Sequence, residues 1–344
     1  MSTKVNHIEK TEILKIDKPF YLESGALLPE LEISFTTAGK LNHTKSNVVW
    51  VCHALTANAN PQEWWPGLIG HNCVINPDEH FIVCANILGS CYGTTGPLSN
   101  QKETSSSYFS NFPIVTVRDM VNAHILLANY LGIENIQLII GGSLGGQQAL
   151  EWSILESERI KNLVLIATNA NHSPYGIAIN EAQRMAIFAD QTYHENKIDG
   201  GIEGLKAARA IALISYRTYK AYNSTQAETD QNKTDLYNAS SYQQYQGQKL
   251  ANRFNAYSYI CLSKAMDSHN VARNRESANK VLSTINAKTI CIGISSDILF
   301  PINEQKYLQQ HIPNSQFYEI DSEYGHDGFL IEAKKITEII KNKF

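Results

Sequence analysis

Apolar positions along the chain fall into two repeating patterns. Val48 to Leu55 and Phe81 to Leu88 are continuous apolar runs, the pattern of strands covered on both faces. Between Thr116 and Leu131 the apolar positions Met120, Val121, Leu127, Ala128 and Leu131 recur at helical spacing and predict a helix. Residues 12–39 alternate in short stretches broken by Pro and Gly, which predicts antiparallel strands at one edge of a sheet. Later segments continue the alternation: strand at 136–140, helix at 144–158, strand at 162–168, strand at 288–296, helix at 302–311, strand at 316–320 and helix at 328–342.

Strands alternating with helices imply an α/β fold, a mainly parallel sheet with helices on both faces and right-handed crossovers. Residues 175–280 interrupt the pattern. They carry no strand signal, are rich in Ala, Gln, Tyr and Asn, and include a polar stretch, Ser224 to Gln243, read as containing a mobile loop. The expected organisation is a core over 1–174, a helical lid insertion over 175–280 and the rest of the core over 281–344. An insertion placed there would lie above the strand ends and cover a pocket.

The most informative stretch is the passage from the run Ile136 to Ile140 through Gly141, Gly142, Ser143, Leu144 and Gly145 into the helix-forming Gln147 to Trp152. A strand joined to a helix through one residue forces that residue into a strained backbone and demands small neighbours. Ser143 would sit at the exposed tip, beside a helix N-terminus that favours negative charge on an attacked carbonyl. The backbone N–H of Leu144 is one candidate oxyanion donor.

A serine nucleophile needs a base, and the base needs a group to fix its tautomer. Asp297 closes the strand at 288–296, and His326 follows the strand at 316–320. The order Ser143, Asp297, His326, all at carboxyl ends of strands, is that of the α/β-hydrolase fold. Asp327, next to the base, suits the ammonium of a cationic or zwitterionic acceptor. The loop after the strand at 48–55 supplies the second candidate oxyanion donor, the N–H of Leu55, with His53 read as a residue pinning the turn. Arg184 either grips a carboxylate through its forked guanidinium or is a solvated helix arginine.

Composition removes other classes. A hydrophobic share of 43% and a formal charge of −4 give no reason to propose nucleic acid or an anionic membrane as partner. Met1 to Lys10 lacks an apolar leader, and apolar runs elsewhere are too short to span a membrane, so the expectation is a soluble, cytoplasmic protein. Six cysteines form no C-x-x-C pair, and Cys52, Cys84 and Cys291 read as reduced core residues. The histidines show no metal-ligand spacing and no phosphate loop occurs, so no metal or cofactor is expected.

Taken together, Cys52 to Thr56, Trp64 to Gly70, Leu88 to Pro97, Phe112 to Met120, Gly141 to Gln147, Asn180 to Arg184, Ser296 to Pro301 and Tyr324 to Asp327 resemble the homoserine O-acetyltransferase family. Ser90 departs from it, standing where a glycine is common. The resemblance implies an acyl-CoA-dependent enzyme of methionine biosynthesis, with acetyl-CoA as co-substrate and L-homoserine as acceptor. It implies Ser143 as acyl-accepting nucleophile, Asp297 and His326 as its relay, Arg184 and Asp327 as contacts to the amino acid, and a homodimer formed through the helical insertion. Succinyl transfer, a serine acceptor, carboxylester hydrolysis and a non-catalytic binding module are the alternatives.

Overall fold

Along the chain run β1 (Lys10–Ile16), β2 (Phe20–Tyr21), β3 (Leu27–Leu28), β4 (Leu31–Ala38), β5 (Val48–Cys52), α1 (Pro61–Trp64), β6 (Phe81–Ala85), α2 (Val117–Tyr130), β7 (Leu138–Gly142), α3 (Leu144–Leu155) and β8 (Asn162–Ile166). Helices then take over: α4 (Pro174–Ala189), α5 (Ile202–Tyr216), α6 (Tyr219–Gln226), α7 (Asn238–Ala251), α8 (Ala256–Asp267) and α9 (Ala278–Leu282). The sheet resumes with β9 (Lys288–Ile294), α10 (Ile302–His311) and β10 (Ser315–Ile320), followed by α11 (Gly328–Ile331) and α12 (Ala333–Lys341). This computed structural model describes residues 10–102 and 104–343, so the polar stretch at 1–9 lies outside the described residues.

Eight strands form one sheet in the order β1-β4-β6-β5-β7-β8-β9-β10. The edge pairs β1–β4 and β4–β6 are antiparallel, and all pairs beyond β6 are parallel. The continuous apolar runs conceal a two-residue alternation. On β5, Val48, Trp50 and Cys52 pack with Val117, Met120 and Leu127 of α2. Val49 and Val51 face the other way, towards Ala333, Ile336 and Ile340 of α12. Both faces are covered, so both sets of side chains must be apolar. Cys52, Cys84 and Cys291 are buried on these strands, and burial pushes their thiols up where the shift is resolved, Cys291 to about 12.

Several boundaries differ from the sequence reading. The run Val48 to Leu55 stops being strand at Cys52, because the chain turns at His53 to Leu55 towards the sheet's carboxyl end. The central strand starts at Leu138, since the Ile136 N–H instead donates to the Arg159 carbonyl at 2.8 Å. The helix expected over 328–342 breaks at Glu332, whose backbone (φ −84, ψ 34) leaves the helical region. In the polar stretch 224–243 only 227–237 is a connection, because α7 begins at Asn238. No helix among the described residues is long and apolar enough to cross a membrane.

Two features fix α3, which carries Ser143 at its start. Glu151 bonds both Arg118 of α2 and Arg275, each at 2.6 Å. At the start of α2, Thr116 and Asp119 satisfy each other's backbone N–H groups in a capping box.

Four buried histidines set the acid sensitivity of the fold. Burial holds their ring pKa below the ordinary 6.5, to about 4 for His53 and His172 and about 3 for His124 and His269. An unfolded chain takes up protons that these rings refuse, so their contribution is complete above pH 6.5 and is lost as pH falls from there towards 4. His124 lies between Trp50 and Trp152, and neither ring nitrogen has a hydrogen-bond partner among the described residues. Urea unfolding should show stability declining from pH 6.5 to 4.5, and His124→Phe should flatten that decline by about 1.4 kcal/mol per pH unit. An unchanged slope in the variant would refute the assignment.

Candidate active site

Ser143 is the single residue between β7 and α3, and its φ of 57 with ψ of −128 lies in a region that costs a non-glycine residue about 1–3 kcal/mol. Its neighbours hold it there. A Cβ on Gly145 would lie 2.1 Å from the Cys52 carbonyl oxygen, and one on Gly142 would lie 2.4 Å from the Phe329 ring. Only glycine lets β5 and the C-terminal segment approach this closely.

The other two members of the expected relay arrive from the far end of the sheet. Asp297 follows β9, and its Oδ1 accepts the N–H groups of Leu299 and Phe300 at 2.8 and 2.9 Å. Its Oδ2 is thereby aimed at His326, which lies in the turn after β10 with its Nδ1 at 2.6 Å. The opposite ring nitrogen, Nε2, stands 2.9 Å from Ser143 Oγ. A proton on Nδ1, donated to the carboxylate, leaves the Nε2 lone pair facing the hydroxyl. The ring is stacked on Phe300 (5.0 Å, 23°) and flanked by Phe329 at 5.2 Å. All three polar side chains are buried, so little water competes for these bonds.

Of the two candidate oxyanion donors, Leu144 follows the serine in the chain and Leu55 lines the same cavity. Leu144 is the first residue of α3, where an N–H has no acceptor within the helix. Leu55 occupies the turn after β5. His53 pins that turn: its Nδ1 lies 2.9 Å from the Ala54 carbonyl and its Nε2 accepts the Ile87 N–H at 3.1 Å. Gln148 of α3 donates to the His53 carbonyl at 3.0 Å, so the turn is tied to the nucleophile helix itself.

A cavity of about 430 Å³ opens over Ser143 and His326. Leu55, Trp64, Phe329 and Leu330 give it apolar walls, and Arg209, Asp327, Lys249 and Arg253 give it charge. Asp327 lines it as expected, with one carboxylate oxygen 2.8 Å from Arg217 Nε. Arg209, on α5, escaped the sequence reading. Its guanidinium lies 5.7 Å from the Tyr216 ring centroid and has no carboxylate partner among the described residues. Nothing local distinguishes it from the other arginines of the helical segment.

The description of the family model that matches residues 47–333 is the alpha/beta hydrolase fold. A homoserine O-acetyltransferase from Cyclobacterium marinum is 48% identical over 97% of this chain and 95% of its own length. The chain belongs to the homoserine O-acetyltransferase family. A crystal structure of a homoserine O-acetyltransferase from Bacillus anthracis superposes with a TM-score of 0.87 at 23% identity, covering 97% of this chain and 98% of that one. Esterase E22 superposes equally well, at 0.87 and 20% identity over 97% of this chain and 99% of its own. Fold alone therefore does not separate acyl transfer from ester hydrolysis.

Within this member of the homoserine O-acetyltransferase family, Arg184 differs from Asp327 in where the structure places it. Its side chain does not line the cavity. It is buried on the side of α4 facing α8, with Nη2 at 2.6 Å from both Asp267 and Glu181 and Nη1 donating to Ser263 Oγ at 2.7 Å. Both terminal nitrogens have partners within the protein. Arg184→Ala should therefore destabilise the protein by about 3 kcal/mol, because Asp267 is left half-buried without its partner. Urea denaturation measures this, and a variant of wild-type stability with a raised acceptor KM would restore the substrate role.

Proposed function

We propose that this protein transfers the acetyl group of acetyl-CoA to the side-chain hydroxyl of L-homoserine through an ester on Ser143. The observation that carries the reading is the pair of opposite charges in the serine's own cavity, Arg209 and Asp327. Hydrolysis of a simple ester needs neither. A zwitterionic amino acid needs both, its carboxylate on the unpartnered guanidinium and its ammonium on the aspartate.

In the first half-reaction His326 Nε2 takes the Ser143 proton as Oγ attacks the thioester carbonyl. The N–H groups of Leu55 and Leu144 hold the tetrahedral oxyanion. Collapse expels the CoA thiolate, which takes the proton from His326. The homoserine hydroxyl then gives its proton to the same nitrogen and attacks the acyl-serine; collapse breaks the bond to Ser143 Oγ, which takes that proton back, and O-acetylhomoserine is released. Asp297 stabilises the imidazolium in both halves. Acetyl-CoA is consumed as co-substrate, and no cofactor takes part.

Water is the competing acceptor, and the helices between β8 and β9 are the element that limits it, by supplying Arg209, Tyr216 and Lys249 to the cavity wall. The same reading makes the protein a cytoplasmic homodimer paired through these helices, which expose Met185, Ile214, Tyr219 and Tyr245.

Initial rates against both substrates should give parallel double-reciprocal lines, and brief incubation with acetyl-CoA should add one acetyl group to the peptide containing Ser143, but not in Ser143→Ala. Intersecting lines with no labelled peptide would exclude the acyl-enzyme. Arg209→Gln should raise the homoserine KM about 10- to 100-fold, the worth of a charged hydrogen bond, while slowing acylation far less. Acetyl-CoA hydrolysis that homoserine leaves unchanged would instead indicate an ester hydrolase.

A further inference from the structure

Glu304 sits in the first turn of α10, the helix that begins just after the turn holding Asp297. It does not line the cavity, is half-buried, and has no ion-pair partner among the described residues. Its Oε2 accepts the Asn169 side-chain N–H at 3.0 Å. Asn169, buried in the loop after β8, in turn accepts the Gln147 side-chain N–H on its Oδ1 at 2.9 Å. Gln147 lies in the first turn of α3, and its backbone N–H donates to the Ser143 carbonyl at 3.2 Å. The Gln147 side-chain oxygen is buried without a partner, so among the described residues Asn169 is what holds this amide in place. The next residue of α10 runs a parallel string: Gln305 donates to the Thr168 carbonyl at 2.7 Å, and Thr168 Oγ1 donates to the Ser143 carbonyl at 2.9 Å. Both strings start on the helix that follows Asp297 and end at the serine turn, but only the first starts on an ionisable group.

Burial pushes the Glu304 carboxyl up to about 7; the bond from Asn169 lowers it and the Asp297 carboxylate raises it. Lys306 and His311 of the same helix lie against the rings of Phe317 and Tyr307. His269, whose Nε2 stands 3.1 Å from the Asn169 carbonyl, is kept neutral by burial. Glu304 therefore changes charge across neutral pH. An ionised acceptor makes a stronger bond than a neutral one, and it polarises the donating amide so that the next bond in the string strengthens as well. Resting on the acyl-transfer reading above, we propose that Glu304 is a positioning residue: its carboxylate, acting through Asn169 and Gln147, fixes the first turn of α3 and with it the Ser143 hydroxyl against His326. Protonation of Glu304 slackens this string and leaves the Gln305 string in place, so the nucleophile is weakened but not lost.

The rate at which a fluorophosphonate labels Ser143 in the full-length protein reads the nucleophile without any acyl donor or acceptor. Wild type should label about fivefold faster than Glu304→Gln at about pH 8.5, where the wild-type carboxyl is charged, and at the same rate at about pH 5.5, where both side chains are neutral. In an Asn169→Ala background this pH-dependent difference should vanish, because the string is already cut. A ratio of wild type to Glu304→Gln that is the same at both pH values would by itself overturn the proposal, and so would a pH-dependent ratio that survives Asn169→Ala. A wild type that labels at Ser143 yet passes no acetyl from acetyl-CoA to homoserine would overturn the reading of function instead, and would leave the comparison of Glu304 variants standing.

Discussion

The structure depends on how closely three backbone segments approach the turn at Ser143. The carbonyl of Cys52 presses on Gly145, and the ring of Phe329 presses on Gly142. These contacts bring the end of β5, the start of α3 and the C-terminal segment to one point. They also hold the serine in a conformation it would not adopt alone. The cost of that conformation is met by the packing of a fully buried parallel sheet on either side. Loosening any one of the three segments would release the hydroxyl from the imidazole.

Much of this was legible in the sequence because it is written locally. A strand, a glycine-flanked serine and a helix in immediate succession can hardly fold otherwise, and Asp297 and His326 follow directly on runs that read as strands. The sidedness of those runs was not legible, since a strand covered on both faces is apolar at each position. Trp50 and Val51 look alike in the chain, yet they belong to opposite layers.

Charged side chains on the helical segment were the least legible. Arg184, Arg209 and Arg217 sit on or beside helices of similar composition, and their uses differ only through tertiary pairing. Arg184 is enclosed by Asp267 and Glu181, Arg217 is held by Asp327, and Arg209 is left to the cavity. Periodicity reports which face of a helix is apolar, but it does not report which acid a guanidinium will meet. The stretch Asn180 to Arg184 resembles a family block, and in the structure its arginine ties α4 to α8.

The relay is assembled from distant parts of the polypeptide: His326 meets Ser143 across 183 positions, with every helix of the insertion in between. During synthesis the serine emerges from the ribosome well before its base exists. A nascent chain can therefore fold its first six sheet strands around the bent turn while remaining chemically inert, and it gains reactivity only when the last strands dock. Late arrival of the imidazole protects the hydroxyl from acylation until the walls that keep out water have also been built.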